Sequence, residues 1–465
     1  MSFVTWQYVA FLAATLVIVR LMRGERSSRV FLLLASCAFY GFFEVRLVPV
    51  LLGMAGVAFL SARSIARTSV PRSRRVIAAL GIALNLGVLG LFKYYDFFAG
   101  SIAAVLRVPS PSSLGLILPV GISFVTFEVL SYMIDVYRGE PEARSFTDLA
   151  LMVMFFPHLV AGPILKPADF LPQLQRRLDV SWHNVETALP GFLLGVVKKV
   201  LIADSLALFV DPVFARPGFY SSPTVWLAAV AYALQIYCDF SGYSDMAIAS
   251  ARCFGLEIPP NFNMPYLSRS VAEFWRRWHI SLSTWFRRYV YIPLGGNRKG
   301  LARATLNTMV VMLLSGLWHG AAWRFVMWGG LHGLAMVVQR LFRAVVPKAD
   351  DRPSSLFGSA VSWLATFAFL CLSWVFFRAP DFRTALAVVG KMVFAGDVGG
   401  VDWLPTSLTV ALPAVVLAHW IGANGGMPKR LQVLSFSGAF VLASVVLGVL
   451  VFSPEKSAPF IYFQF

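Results

Sequence analysis

Apolar runs of about 20 residues, each long enough to cross a bilayer, recur from one end of this chain to the other. A 465-residue chain built this way cannot fold as a set of water-soluble globules. It is 58% hydrophobic and only 14% charged, with a mean hydropathy of +0.71, far from the roughly 25% charged share of a soluble domain. An ordinary cytosolic enzyme is excluded. Candidate spans lie at 3–21, 30–43, 48–60, 76–92, 114–136, 189–209, 225–251, 304–317, 326–341, 356–377, 404–420 and 431–452. The expectation is an all-α polytopic membrane protein with about twelve transmembrane helices, forming one membrane domain over residues 1–465.

The net charge of +17 does not point to nucleic acid, because Lys and Arg cluster between the apolar runs instead of covering a soluble face. Run 3–21 has no basic segment before it and reads as an uncleaved span. Arg20, Arg23, Arg26 and Arg29 follow it, which puts that loop in the cytoplasm and the N-terminus outside. Alternating the spans then places Arg63, Arg67, Arg72, Arg74 and Arg75 inside, followed by Arg138 and Arg144, by Arg340, Arg343 and Lys348, and by Lys429 and Arg430. Both termini come out extracytoplasmic, in a multi-pass membrane protein.

Two stretches break the pattern. Residues 155–174 are apolar but interrupted by Pro157, Pro163, Pro167 and Pro172, which a regular spanning helix tolerates poorly. Re-entrant or interfacial helices are expected, buried in protein or lining a cavity. In residues 261–300, seven cations alternate with aromatic residues, and at helical spacing Phe274, Trp278 and Trp285 suit an amphipathic helix at a cytoplasmic interface.

Titratable groups inside apolar runs need a reason. His319, in SGLWHGAAW, is the first candidate, because a neutral imidazole is well suited to act as a general base. Gly316 and Gly320 remove bulk on either side, as an approach route to the ring would require. His279, in FWRRWHISLS, is the second, while His332 has no polar sequence neighbours and reads as structural. Asp239, Ser241 and Asp245, in YCDFSGYSDMA, line a polar wall or hydrogen-bond one helix to another. The loop PLGGNRKG carries Arg298 and Lys299, which either grip phosphates or anchor the loop inside; it is no Walker motif. No histidine pair has metal-ligand spacing, and Cys37, Cys238, Cys253 and Cys371 read as small core residues, so no metal site is expected.

The stretch NFNMPYLSRSVAEFWRRWHISLSTWFRRYVYIPLGGNRKG followed by LSGLWHGAAWRFVMWGGLHG resembles the signature of the bacterial membrane-bound O-acyltransferases, within them the branch that O-acetylates alginate and peptidoglycan. GISFVTFEVLSYMIDVYRG, FFPHLVAGPI, YCDFSGYSDMAIA and FIYFQF extend the resemblance through nearly the whole chain. It implies a helical disc with a central tunnel, and catalytic roles for His319, the histidine of the WHG motif, and His279. It further implies a cytosolic thioester donor, acetyl-CoA or a carrier-bound acyl group, with no bound cofactor. The acceptor is an extracytoplasmic glycan hydroxyl, reached directly or through an esterase-like partner or a small membrane subunit.

Within that reading Arg276, Arg277, Arg298 and Lys299 would receive the donor, and Trp318, Asp239, Ser241 and Asp245 would line the tunnel. Trp318, or a backbone N–H near Gly316 or Gly320, would steady the oxyanion that acyl transfer requires. Two positions depart from the family pattern: Arg288 stands where Asp is common, and Glu128 where Gln is common. The alternatives are a D-alanyl transferase of the teichoic acid type and a transporter of polymer or lipid-linked sugar, against which stands the lack of an inverted repeat.

Overall fold

The computed structural model describes residues 2–160, 162–346, 355–394, 400–424, 438, 442–448 and 460. Among these all regular structure is helical, with no strand beyond one isolated pairing of Tyr220 with Val401. It divides into two compact units, one formed by residues 1–192 and 243–259, the other by residues 193–242 and 260–465.

The first unit holds α1 (Trp6–Leu21), α2 (Glu25–Glu44), α3 (Val48–Arg67), α4 (Pro71–Leu89), α5 (Tyr95–Leu106), α6 (Ile122–Tyr137), α7 (Phe146–Met154), α8 (Phe156–Leu159) and α9 (Pro167–Phe170). Helix α10 (Trp182–Val196) continues from it into the second unit. Helix α6 is buried around nearly its whole circumference, which makes it the centre of the unit. Helices α3 and α4 pack on it, and Gly81 allows this: a Cβ there would sit 2.5 Å from Ser61 Oγ and 2.9 Å from Met133 Sδ. The proline-rich stretch is broken as its sequence demands. Among its described residues the short α8 and α9 form, followed by a 3-10 turn at Leu171–Gln175, and Phe155, Phe156, His158, Ile164, Leu165 and Phe170 are all buried. The backbone N–H of Leu165 is satisfied by Glu128 Oε1 at 2.9 Å, so the carboxylate on α6 serves a broken segment that lacks helical partners.

The second unit contains α11 (Asp204–Ala215), most of α12 (Ser222–Arg252), α13 (Val271–Arg277), α14 (Ile280–Phe286), α15 (Gly300–His319), α16 (Trp323–Val345), α17 (Leu356–Arg378), α18 (Phe382–Val393) and α19 (Thr406–Ala423). Helices α15 and α16 form a hairpin joined by only three residues. Glycine makes it close: a Cβ on Gly316 would meet the Phe325 carbonyl oxygen at 2.2 Å, and one on Gly329 the Met312 carbonyl oxygen at 2.2 Å. The expected approach route beside Gly316 and Gly320 is therefore absent, because the first space is taken by that carbonyl and the second by the Phe325 ring, 2.2 Å from a Cβ on Gly320.

Among the described residues, six helical segments are long and apolar enough to cross a membrane: Glu25–Arg67, Pro71–Leu106, Gly300–His319, Trp323–Val345, Leu356–Arg378 and Thr406–Ala423, with Trp6–Leu21 a shorter apolar helix. Candidate spans 30–43 and 48–60 fall within one continuous helical stretch. Span 114–136 is helical only from Ile122, its first part being irregular and ending in a turn. Span 431–452, Lys348, Lys429, Arg430 and residues 461–465 of FIYFQF lie largely or wholly outside the described residues. The four cysteines are free thiols, three buried and Cys37 half-buried.

The interfacial helix expected across 261–300 does not form as one piece. Ser270 caps α13 through the Glu273 N–H, and the helix ends at Trp278. His279 then takes left-handed backbone (φ 42°, ψ 57°) before α14 begins. Phe274, Trp278 and Trp285 are buried, so their spacing marks core contacts. In this setting Gly329→Ala should force a Cβ into backbone, at a cost of about 1–3 kcal/mol for overpacking. The expected outcome is a thermal midpoint several degrees lower in detergent-purified protein, measured by tryptophan fluorescence.

Candidate active site

His319 is the last residue of α15, where the helix stops because Gly320 adopts an extended conformation. It is buried, and three aromatic rings hold it: Trp318 at 4.9 Å between centroids, Trp328 of α16 at 5.0 Å and Phe377 of α17 at 5.2 Å, all roughly edge-on. Edge-to-face contacts of this kind fix a ring's plane as well as its position. Trp318 also lies 5.8 Å from His279, so one indole stands between the two histidines predicted to act together.

His279 is fully buried, and burial pushes its pKa well below the ordinary imidazole range. Phe240 of α12 closes on its ring at 4.8 Å, and Phe240 in turn meets Phe460, the first residue of FIYFQF, at 6.0 Å. The C-terminal motif thus begins against the aromatic packing of this histidine.

A cavity of about 200 Å³ lies against α15 and is lined by Trp275, Arg287, Tyr291, Thr308, Ser315 and Arg340, among others. Thr308, Met312, Ser315 and His319 follow one another at three- or four-residue spacing, so they share one face of the helix. Ser315 stands one turn before His319, about 6 Å along the axis. Its hydroxyl is buried and has no hydrogen-bond partner among the described residues. The cavity therefore carries cations on part of its wall and reaches a buried hydroxyl one turn from the histidine.

Arg340 builds the cationic part. Its guanidinium donates to the Ala304 carbonyl at 2.6 Å, to Thr308 Oγ1 at 2.8 Å and to Tyr291 Oη at 3.2 Å. Asn307 donates its amide to the carbonyls of Leu294 and Gly296, tying the PLGG turn to α15. From the sequence Arg340 reads only as a topology signal, and Ser315 is not singled out. The available signal was the i, i+4 relation of Ser315 to His319. Arg340 gave none, since its partners come from 32 to 49 residues away.

The other expected residues fall in several places. Arg276, Arg298 and Lys299 are exposed, and Arg277 pairs with Glu273 at 3.0 Å; none of the four is among the residues lining the cavity. Asp239 faces Lys199 Nζ at 2.7 Å, and Lys199 also reaches Asp204 at 2.8 Å, so this carboxylate ties α12 to the π turn Val197–Ala203. Ser241 is buried and Asp245 half-buried on the same helix, Asp245 belonging to the first unit. Arg288 lies over the Tyr289 ring at 5.6 Å. His332 receives the Trp275 indole N–H on Nδ1 at 3.2 Å, and its Nε2 lies 3.1 Å from Ser373 Oγ. An indole N–H only donates, so Nδ1 accepts and Nε2–H donates, which satisfies both ring nitrogens.

Comparison with known proteins gives a consistent result. A profile of the membrane-bound O-acyltransferase family matches residues 123–378. A probable alginate O-acetylase of Pseudomonas putida is 36% identical over 96% of this chain and 96% of its own length. A peptidoglycan O-acetyltransferase of Helicobacter pylori is 37% identical over 78% of this chain and 73% of its own. A teichoic acid D-alanyltransferase of Streptococcus thermophilus is more distant, at 30% over 47% of this chain and 56% of its own.

Because His332 is satisfied on both sides, it should behave as a packing residue. His332→Ala should strand the Trp275 N–H and leave a cavity, costing about 2–4 kcal/mol. The check is a clear fall in thermal midpoint, with turnover per folded molecule at the assay temperature remaining within a few-fold of wild type.

Proposed function

The chain belongs to the membrane-bound O-acyltransferase family, and from that premise we propose that it moves an acetyl-type group from a cytosolic thioester donor, acetyl-CoA or an acyl carrier, across the inner membrane for O-acetylation of an extracytoplasmic glycan such as alginate or peptidoglycan. The observation that carries this reading is the cavity with its arginines and tyrosine, ending at Ser315 one turn from His319. Its volume of about 200 Å³ is below the range of roughly 300–1,000 Å³ that whole drug-sized ligands occupy. Such a space suits a small acyl group and the arm that carries it. The bulk of the donor would stay outside, and Arg287 and Arg340 suit its phosphates or an acidic carrier surface.

In the proposed reaction the acceptor hydroxyl oxygen attacks the thioester carbonyl while His319 takes the hydroxyl proton. The carbonyl oxygen becomes an oxyanion, and the Ser315 hydroxyl is suited to donate to it. Collapse breaks the C–S bond, and the thiolate takes the proton back from His319. The ester product and a free thiol result, with no net change in protons. His279, linked to His319 through Trp318, supports the charge that develops. Arg276, Arg277, Arg298 and Lys299 would act further out, at the cytoplasmic approach to the cavity, and Asp239, Ser241 and Asp245 would stiffen the wall of α12.

Tunnel, disc shape and extracytoplasmic termini belong to this proposal, as does an esterase-like partner or small membrane subunit that receives the acyl group. Acyl transfer as the family's chemistry sets aside the transporter reading. The relatives that cover most of the chain are named O-acetyltransferases or O-acetylases, which favours acetyl over D-alanyl transfer.

Mass spectrometry of the host's exopolysaccharide and peptidoglycan, with and without this protein, tests the whole reading. A single acetyl-sized ester should disappear from one polymer; loss of an amine-bearing alanyl ester would install D-alanyl transfer instead. At the level of residues, His319→Ala should lower the rate of ester formation by about 100- to 10,000-fold without unfolding the protein. Ser315→Ala should lower it by roughly 100-fold with little change in donor KM, the pattern of a contact made chiefly in the transition state.

A further inference from the structure

Asn261 opens the motif NFNMPY and lies 18 residues before His279 in sequence, yet the two are joined at three levels. The backbone of 261–263 brackets the histidine: the Ile280 N–H donates to the Asn261 carbonyl at 3.0 Å, and the Asn263 N–H to the Arg277 carbonyl at 2.8 Å. Those bonds on either side hold His279 in the left-handed conformation that a non-glycine residue adopts only when its surroundings over-determine it. The Asn261 side chain then gathers three donors on one oxygen. Its Oδ1 accepts from the Ser281 N–H at 3.2 Å and from Ser281 Oγ at 2.9 Å, and it lies 3.2 Å from His279 Nδ1.

The identity of that atom is fixed by chemistry. A backbone N–H only donates, so the amide must turn its oxygen, not its nitrogen, toward Ser281 and the imidazole. His279 Nδ1 must then carry the hydrogen, and in a neutral ring the lone pair is left on Nε2. The Asn261 nitrogen is buried and has no acceptor among the described residues, so the side chain is held there through its oxygen.

We propose that Asn261 is the positioning residue of this site: it selects the His279 tautomer whose Nε2 bears the lone pair and fixes the plane of the ring against Trp318. The inference rests on the acyl-transfer reading above and adds to it the group that sets the state of the second histidine. With Nδ1 held as donor, Nε2 accepts a hydrogen bond from the acceptor hydroxyl or from a group that orients it. In the other tautomer it would present a hydrogen and repel the same donor.

The test is a double-mutant cycle in membranes of the host strain, with each variant expressed in place of the natural protein and its amount quantified. The readout is the initial rate of radiolabelled acetyl ester formation from acetyl-CoA. Asn261→Ala should lower the maximal rate by about 10- to 100-fold at unchanged donor KM, since a wrong tautomer alone is costly in other histidine sites. Asn261→Asp keeps an oxygen for all three donors and should recover most of that loss. On a His279→Ala background, Asn261→Ala should change the rate by no more than about twofold, because a residue acting only through His279 has nothing left to position.

Three results would overturn the proposal: a wild-type rate for Asn261→Ala, an Asp variant as slow as the Ala variant, or an undiminished loss on the His279→Ala background. If Asn261→Ala does not accumulate, the Asp variant alone decides, since it preserves the fold contacts and must stay active. His319→Ala is assayed in parallel. Should that variant keep the wild-type rate, the acyl-transfer reading fails by itself, whatever Asn261 does.

Discussion

Gly316 and Gly329 bring the backbones of α15 and α16 into contact, since a Cβ on either would stand 2.2 Å from a carbonyl oxygen across the interface. Between helices in lipid there is little hydrophobic driving force, so close approach and the dispersion it recovers have to hold them together. The consequences run outward from that contact. A three-residue turn suffices to join the helices, His319 is carried to the end of α15, and Trp328 on the first turns of α16 meets its ring at 5.0 Å. Gly333, whose Cβ would lie 2.6 Å from Met309 Sδ, continues the close approach along α16. The histidine's position thus depends on glycines whose place at the helix contact is structural.

Charge is handled by the same economy of space. Lys199 is buried between Asp204 and Asp239, at 2.8 and 2.7 Å, and it sits in a π turn that widens the helix locally. Such turns recur at sites where one side chain must leave the regular path of its helix. Removing one member of a buried ionic cluster leaves an uncompensated charge, whereas the intact cluster is often no more stable than well-packed apolar residues would be. Its contribution is specific geometry. Asp239 bonds from α12 to Lys199 in the π turn, and Phe240, the next residue, lies against the His279 ring.

The sequence made the class of the protein plain, because hydropathy depends only on local composition, and the apolar runs near Glu25–Arg67, Pro71–Leu106 and the helices from Gly300 onward appear as helices long enough to cross a membrane. His319 and His279 stood out for the same reason, as polar residues in apolar or aromatic surroundings. What periodicity could not show was the break at Trp278–His279. The pattern of Phe274, Trp278 and Trp285 is equally regular whether one helix or two carry it, and the break follows from bonds between 261–263 and 277–281 that no local window contains. The cavity was hidden for a similar reason. Arg287, Ser315 and Arg340 come from three separate elements, and only the fold makes them neighbours. Gly316 was noticed but assigned to substrate access, since sequence alone does not say whether the space beside a glycine is empty or filled by another backbone.

Buried histidines raise one further point. In water an imidazole exchanges tautomers freely, but where water is scarce the neighbours must specify which nitrogen holds the hydrogen. His332 and His279 receive opposite instructions. The Trp275 indole can only donate, which makes His332 Nδ1 an acceptor, and Asn261 Oδ1 can only accept, which makes His279 Nδ1 a donor. The difference distinguishes the two histidines more sharply than burial does, because both rings are fully buried. His332 spends its Nε2–H on Ser373, which passes its own hydrogen to the Leu370 carbonyl, and the chain of bonds closes within the protein. His279 is given the tautomer that leaves Nε2 able to accept, and a hydroxyl is the kind of group such a nitrogen binds.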